Sequence, residues 1–278
     1  MKHKNFVLDN FKKDKKIFRI LKINKKKFFL KEFKSKQKKK FINELKAYKF
    51  YKFKKIFNIP NLIKYNFNKK QLFLNYIKGK KPSYFEIAKV YNLENIQYHK
   101  KKISYFDYIV LRYKKDYQTE LILNRIKKKI LTPKFVLLSF THGDFVNYNC
   151  VKNKKKFYVF DFENFNKRII FFDYFNWYSH PLLFNFSKLT NFFKNYLIQS
   201  TIKKILLSCF IIFLFLKSKS MFKLFKVNQK EFEFYYICYV FEKYLILKRD
   251  NKDITNYELK ILSNNLIKFL EFELKRIT

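Results

Sequence analysis

The chain has 278 residues, with 63 Lys and Arg against 21 Asp and Glu, a formal net charge of +42 and a pI near 10.0. Its 48% apolar content excludes wholesale disorder, because so much apolar surface can fill a core, and the length suits one large domain or two lobes of about 100 and 180 residues. The charge is no nucleic-acid signature: only Arg19, Arg112, Arg125, Arg168, Arg249 and Arg276 carry the planar fork that reads phosphate and guanine, and the excess of Lys, Phe, Tyr, Ile and Asn over Gly is what A+T-rich codons produce.

Residues 16–33 read as two β-rich runs split by a polar turn around Asn24 to Lys27, a hairpin. Phe41, Leu45 and Tyr48 recur at helical spacing, so 38–56 reads as an amphipathic helix closed before Pro60. The runs 61–66 and 71–77 flank Phe67 to Lys70 as a second hairpin, and Gly79 and Pro82 then mark a break taken as the lobe boundary. Residues 83–130 are helical in tendency, and 135–140 and 157–162 are short apolar strand signals, the second containing Asp161. Segments 172–186, 188–216, 229–248 and 254–276 carry helix-length apolar patterns.

Cys150, Cys209 and Cys238 form no CxxC pair and have no His at metal-ligand spacing, which argues against a zinc site or a disulfide framework. The longest apolar run, Ile205 to Leu216, has 12 residues, short of the roughly 20 that span a bilayer. The expectation is a cytoplasmic protein without a transmembrane segment.

Polar chemistry concentrates in Thr141-His142-Gly143-Asp144-Phe145-Val146-Asn147-Tyr148-Asn149 and, twelve positions on, in Asp161-Phe162-Glu163. Phosphoryl transfer needs a carboxylate to orient or deprotonate the attacking hydroxyl and oxygen ligands for a metal on the phosphates. Asp144, Asn149 and Asp161 supply these if the intervening segment is a hairpin turning at Lys152 to Lys156. Taken singly, Asp144 is also a plausible turn cap, and Asn149 is one Asn among many.

The pattern H-G-D-F-x-x-x-N followed by D-F-E resembles the catalytic and metal-binding loops of the aminoglycoside phosphotransferase and choline kinase family, which shares the protein-kinase-like fold. The resemblance covers roughly residues 16–186. It implies an α+β, bilobal chain: a small antiparallel-sheet lobe over 1–79 that binds nucleotide, and a mainly helical catalytic and acceptor-binding lobe over 80–278. Asp144 then corresponds to the catalytic base, Asn149 and Asp161 to Mg2+ ligands, His142 to a loop support, Glu163 to a second acidic position, and Asp173 to a brace for the catalytic loop.

The same resemblance demands a strand Lys on the ATP phosphates and a helix Glu to pair with it. Lys31 shares a strand face with Phe29 and Phe33, with Lys27 and Lys34 as rivals, and Glu44 falls at the edge of the Phe41–Leu45–Tyr48 face, where an unpaired carboxylate is costly. The implied hinge lies near Asn75 to Gly79.

The implied reaction is ATP- and Mg2+-dependent phosphorylation of a hydroxyl on a small acceptor: a sugar, an amino alcohol, an aminoglycoside or a cell-envelope polysaccharide precursor, with no specific nucleic-acid partner. The acceptor pocket is expected mostly after residue 186. Two departures stand out. No glycine precedes Gly79, so the hairpin over the phosphates is not Gly-rich, and Tyr148 stands where the family often has Trp. The alternative is a catalytically impaired kinase-fold protein that binds nucleotide or polyanion. A plain nucleic-acid binder would instead show salt-dependent binding with no need for Asp161.

Overall fold

The two expected hairpins form, and join into one sheet. The strands β2 (Lys16–Ile23) and β3 (Lys26–Phe33) pair antiparallel with Lys31 opposite Phe18. The pair β4 (Leu62–Asn66) and β5 (Gln71–Asn75) adds through β5, which sets Leu72 opposite Lys31. A further strand, β1 (Phe6–Lys13), precedes them, giving the order β1-β2-β3-β5-β4. This computed structural model describes residues 6–13, 16–23, 26–83, 86, 90, 91, 93–113, 117–130, 132–178 and 223–250. The helices expected over 188–216 and 254–276 lie outside the described residues, as do the turns at 14–15 and 24–25 and the acceptor-pocket region from 186 to 222.

The chain is α+β and divides into two compact units, Met1–Gln97 with Phe140–Lys167, and Tyr98–Ser139 with Arg168–Thr278. In the first, α1 (Lys38–Phe53) covers the sheet. It buries Phe41, Glu44, Leu45, Tyr48 and Tyr51, the spacing of one helical face. It stops at residue 53 instead of 56, with the Lys54 N–H still closing on the Phe50 carbonyl at 3.1 Å. The strands β8 (Cys150–Asn153) and β9 (Lys156–Val159) form the hairpin expected between Asn149 and Asp161.

One expectation is corrected here. Asp161 does not lie inside a strand: β9 ends at Val159, and Asp161 has φ 67°, a left-handed conformation. Asp tolerates this region better than most L residues because its short side chain bonds locally.

The second unit contains β6 (Tyr98–Lys101), most of the sheet β10-β7-β6, and the helices α2 (Tyr105–Val110), α3 (Tyr117–Lys129) and α4 (Gln229–Asp250). The strands β7 (Val136–Thr141) and β10 (Asn166–Ile169) each have residues on both sides of the division, which falls after Ser139 and after Lys167. The interval 83–130 is therefore only partly helical. Inside, Phe171 packs edge to face on Tyr235 and Phe175 on Phe232, and Glu242, fully buried, is held by Arg168 Nε at 2.9 Å and the Tyr105 hydroxyl at 2.8 Å. A charge so buried persists only with such partners. No helix among the described residues is long and apolar enough to cross a membrane.

Candidate active site

Strand alternation puts Phe29, Lys31 and Phe33 on one face of β3, and α1 brings Glu44 over that face. Lys31 Nζ lies 2.6 Å from Glu44 Oε2, 2.5 Å from Asp161 Oδ1 and 2.8 Å from Glu163 Oε1, with the Phe33 ring 5.0 Å away. Lys31 is 2% exposed and Glu44 1%. Burial alone would depress the Lys31 pKa; attraction by Asp161, Glu44 and Glu163 overrides it and holds the ammonium well above its ordinary range. For Glu44, burial outweighs Lys31, and with Asp161 and Glu163 close by it is pushed up to about 8. Three carboxylates share one ammonium.

Asn43 donates from Nδ2 to the Glu163 carbonyl at 3.0 Å, pinning the turn after Asp161 to the helix that carries Glu44. Phe162, fully buried between these acids, packs on Tyr48, Tyr51 and His142.

The loop after β7 turns at Gly143, whose φ of 81° suits glycine. Nδ1 of His142 accepts from the Asp144 N–H at 3.2 Å and its Nε2 lies 2.9 Å from the Phe160 carbonyl, which assigns the proton to Nε2. Asn149 Nδ2 donates to the Asp144 carbonyl at 2.8 Å and to Asp144 Oδ2 at 3.3 Å, and the Phe160 N–H donates to the Asn149 carbonyl at 3.1 Å. The segments carrying Asp144, Asn149 and Asp161 are thereby tied into one framework.

Beside it lies a cavity of about 380 Å3. Phe18, Phe29, Leu74, Ile77, Val151 and Phe160 give it apolar walls, Asn75 to Ile77 run along one side, and Lys31, Glu44, Asn149 and Asp161 stand in its lining. Gly79 closes in behind: a Cβ there would meet the Lys152 carbonyl oxygen at 2.3 Å, since Lys80 and Lys152 exchange backbone hydrogen bonds of 2.9 and 2.7 Å.

The carboxylates of Glu44, Asp161 and Glu163 offer oxygens within 4.8 Å of one another, and the cation they hold is the Lys31 ammonium. Asn149 and Asp161 are the better pair for a divalent metal. With Nδ2 committed to Asp144, Asn149 presents oxygen as its remaining group, and Asp161, 34% exposed, lines the same cavity. Two hard oxygen donors of this kind suit Mg2+.

No protein-family model matches the sequence, and no curated protein matches it. Solved structures do. A candidate aminoglycoside phosphotransferase from Ralstonia eutropha aligns at TM-score 0.62 and 10% identity, covering 100% of this chain and 93% of its own. The chain has the fold of the aminoglycoside phosphotransferases and choline kinases. The choline kinase from Streptococcus pneumoniae aligns at TM-score 0.57 and 12% identity, covering 95% of each chain, and amicoumacin kinase in complex with AMP-PNP, Ca2+ and Ami at 0.51 and 10%, covering 97% and 91%.

Of the residues singled out in the sequence, this phosphotransferase-like fold brings Lys31, Glu44, Asp161 and Glu163 into one cluster and His142, Asp144 and Asn149 into the adjoining loop. Asp173 lies in the second unit, buried at the start of the helical segment over 172–178 and close enough to raise the Arg168 pKa. Sequence reasoning missed Asn43, which fixes the Glu163 turn, and the cavity lining by Tyr48. Tyr48 was visible only as part of an apolar helix face, and Asn43 carried no signal in an Asn-rich chain.

Proposed function

We propose that this chain is an ATP-dependent phosphotransferase that moves the γ-phosphoryl group to a hydroxyl of a small molecule. The observation that carries the reading is the convergence of Lys31, Glu44 and Asp161 in the lining of an apolar cavity that also holds Asn149. The apolar walls suit the flat adenine ring and the Asn75 to Ile77 backbone its edge, with Lys31 placed for the phosphates. Asp144 is the base for the acceptor hydroxyl, His142 sets its loop, and Asp173 braces that loop. Asn149 and Asp161 would hold Mg2+, which when bound shields the phosphate charge. Lobes over 1–79 and 80–278 and a cytoplasmic location belong to the same proposal. Structures of this fold that hold AMP-PNP with Ca2+, or ADP with hygromycin B, support a nucleotide substrate.

A second reading, a nucleotide or polyanion binder without turnover, is favoured by one observation: no glycine precedes Gly79, so no bare backbone approaches the phosphates. Thermal unfolding with ATP, with and without Mg2+, at high fixed salt tests the site. ATP at 100 times its Kd should add about 2.7 kcal/mol, only with Mg2+ and not in Asp161→Ala. Turnover abolished in Asp144→Asn with that stabilisation intact supports the phosphotransferase; stabilisation without turnover in the wild type supports the second reading, and none at all refutes both.

A further inference from the structure

We propose that the outer side of α1, together with the β4 edge of the sheet, docks on an anionic lipid bilayer. Lys39, Lys46 and Phe53 recur every seven residues, two helical turns, so they share the side of α1 that faces away from Phe41, Leu45 and Tyr48; both lysines are exposed and Phe53 is 77% exposed. Lys49, also exposed, reaches sideways to β4, where its Nζ stands 4.9 Å from the ring centroid of Tyr65. Phe67, two residues on, touches the helix again through Phe41 at 5.6 Å. Tyr65 and Phe67 are 46% and 50% exposed, so lysines and half-open rings form one continuous surface within the first unit.

The acids of this unit lie elsewhere. Glu44, Asp161 and Glu163 close on Lys31, Glu86 on Lys152, and Asp144 belongs to the loop after β7. Glu32, bound by Gln71, points to the sheet face opposite Lys31, and Asp9 is on β1, the far edge from β4. Glu94 adjoins Asn95, which donates to the Lys55 carbonyl beyond the end of α1. From 45 to 85 the sequence has 11 Lys and no Arg, Asp or Glu. Charges beyond about 8 Å are largely screened at physiological salt, so this local surplus matters more than the net +42. Cations among exposed rings match the headgroup region of an anionic bilayer, which attracts the ammonium groups and takes in the rings. Single-stranded nucleic acid fits less well, because it runs in a groove whereas this surface is the convex back of a helix, and no Arg lies between Arg19 and Arg112. A second copy of the chain, equally cationic, is repelled.

The test is co-sedimentation of the full chain, at physiological salt, with vesicles of phosphatidylcholine alone and of phosphatidylcholine mixed with phosphatidylglycerol. Binding should require the anionic lipid. Because any strongly basic protein is drawn to such vesicles, two variants of equal charge are compared. Lys39→Gln with Lys46→Gln and Lys49→Gln should weaken binding about a hundredfold, whereas the same change at Lys154, Lys155 and Lys156, exposed at the β8–β9 turn, should alter it less than about threefold. Phe53→Ser with Tyr65→Ser, which leaves the charge untouched, should weaken it about tenfold. All these positions are exposed, and unchanged melting temperatures establish that the variants are folded. No binding to the mixed vesicles, equal losses from the two lysine sets, or full binding by the Phe53 and Tyr65 variant overturns the proposal. So does tighter binding to a single-stranded homopolymer RNA through the same three lysines, which would make the surface a nucleic-acid site.

Discussion

Lys31 Nζ lies 2.6 Å from Glu44 Oε2, and neither side chain is more than 2% exposed. The pair is lopsided, because Asp161 and Glu163 lean on the same ammonium. Removing the one cation strands three acids, while removing one acid relieves their repulsion. Lys31→Met should therefore destabilise by about 3–5 kcal/mol, the cost of an uncompensated buried charge, and Glu44→Gln by less than about 1 kcal/mol. Urea unfolding at neutral pH measures both; equal costs would show that Lys31 serves Glu44 alone.

The same cluster gives stability a pH dependence. Glu44 titrates near 4.5 when unfolded and at about 8 when folded, so between these values the folded state holds a proton that the unfolded state has released. Stability from this group is full below about pH 4.5 and falls as pH rises through 8. Other carboxylates contribute slopes of their own, so the quantity to measure is wild type minus Glu44→Gln. That difference should decline from pH 5 to 8; a flat difference would remove Glu44 as the cause.

Why these residues were legible follows from their surroundings. Lys31 stood out among 57 lysines because strand alternation put it between Phe29 and Phe33, and Glu44 because helical spacing put an acid against Phe41, Leu45 and Tyr48. Those periods are local, and burial followed from them. Strand β1 was not legible, since Phe6-Val7-Leu8-Asp9-Asn10-Phe11 lacks alternation and it forms by pairing with β2 through an irregular register near Val7. Strand β6, Tyr-His-Lys-Lys with every residue exposed, exists only because β7 offers it an edge. The left-handed turn at Asp161 is set by partners distant in sequence, His142 on the Phe160 carbonyl and Lys31 on the carboxylate.

Gly79 tests the segment taken as the hinge. An added methyl would meet the Lys152 carbonyl oxygen at 2.3 Å and Val151 Cγ1 at 2.4 Å, and the first of these is backbone held by the Lys80–Lys152 pair. Relief requires that pair to open. Gly79→Ala should cost about 1–3 kcal/mol, as overpacking does, and weaken ATP binding because Val151 and Ile77 line the cavity. Calorimetric unfolding together with ATP titration checks it; an unchanged melting temperature would mean that the segment gives way freely.

Tyr48 makes the opposite prediction. Its ring packs on Phe162, yet its hydroxyl is buried with no hydrogen-bond partner among the described residues. A buried hydroxyl left unpaired costs about 1–3 kcal/mol, so Tyr48→Phe should match or exceed the wild type in thermal stability. A drop in melting temperature would show that the hydroxyl is satisfied in solution.

Asn149 separates loop geometry from metal binding. Its Nδ2 donates to the Asp144 carbonyl and to Asp144 Oδ2, so a carboxylate at this position turns two attractive contacts into repulsive ones while keeping oxygen for a metal. Asn149→Asp should destabilise the protein by about 1–3 kcal/mol at pH 8 and by less at pH 5. The sign follows from linkage: two carboxylates this close raise each other's affinity for a proton, the folded state then binds more protons than the unfolded state, and acid favours it. Asn149→Ala, which loses the donor without adding charge, should show no such pH difference. Unfolding of both variants at the two pH values, with and without Mg2+ and ATP, decides the point. If Asn149→Asp keeps the Mg2+-dependent stabilisation while Asn149→Ala loses it, the oxygen at 149 serves the metal; if both keep it, Asn149 serves only to hold Asp144.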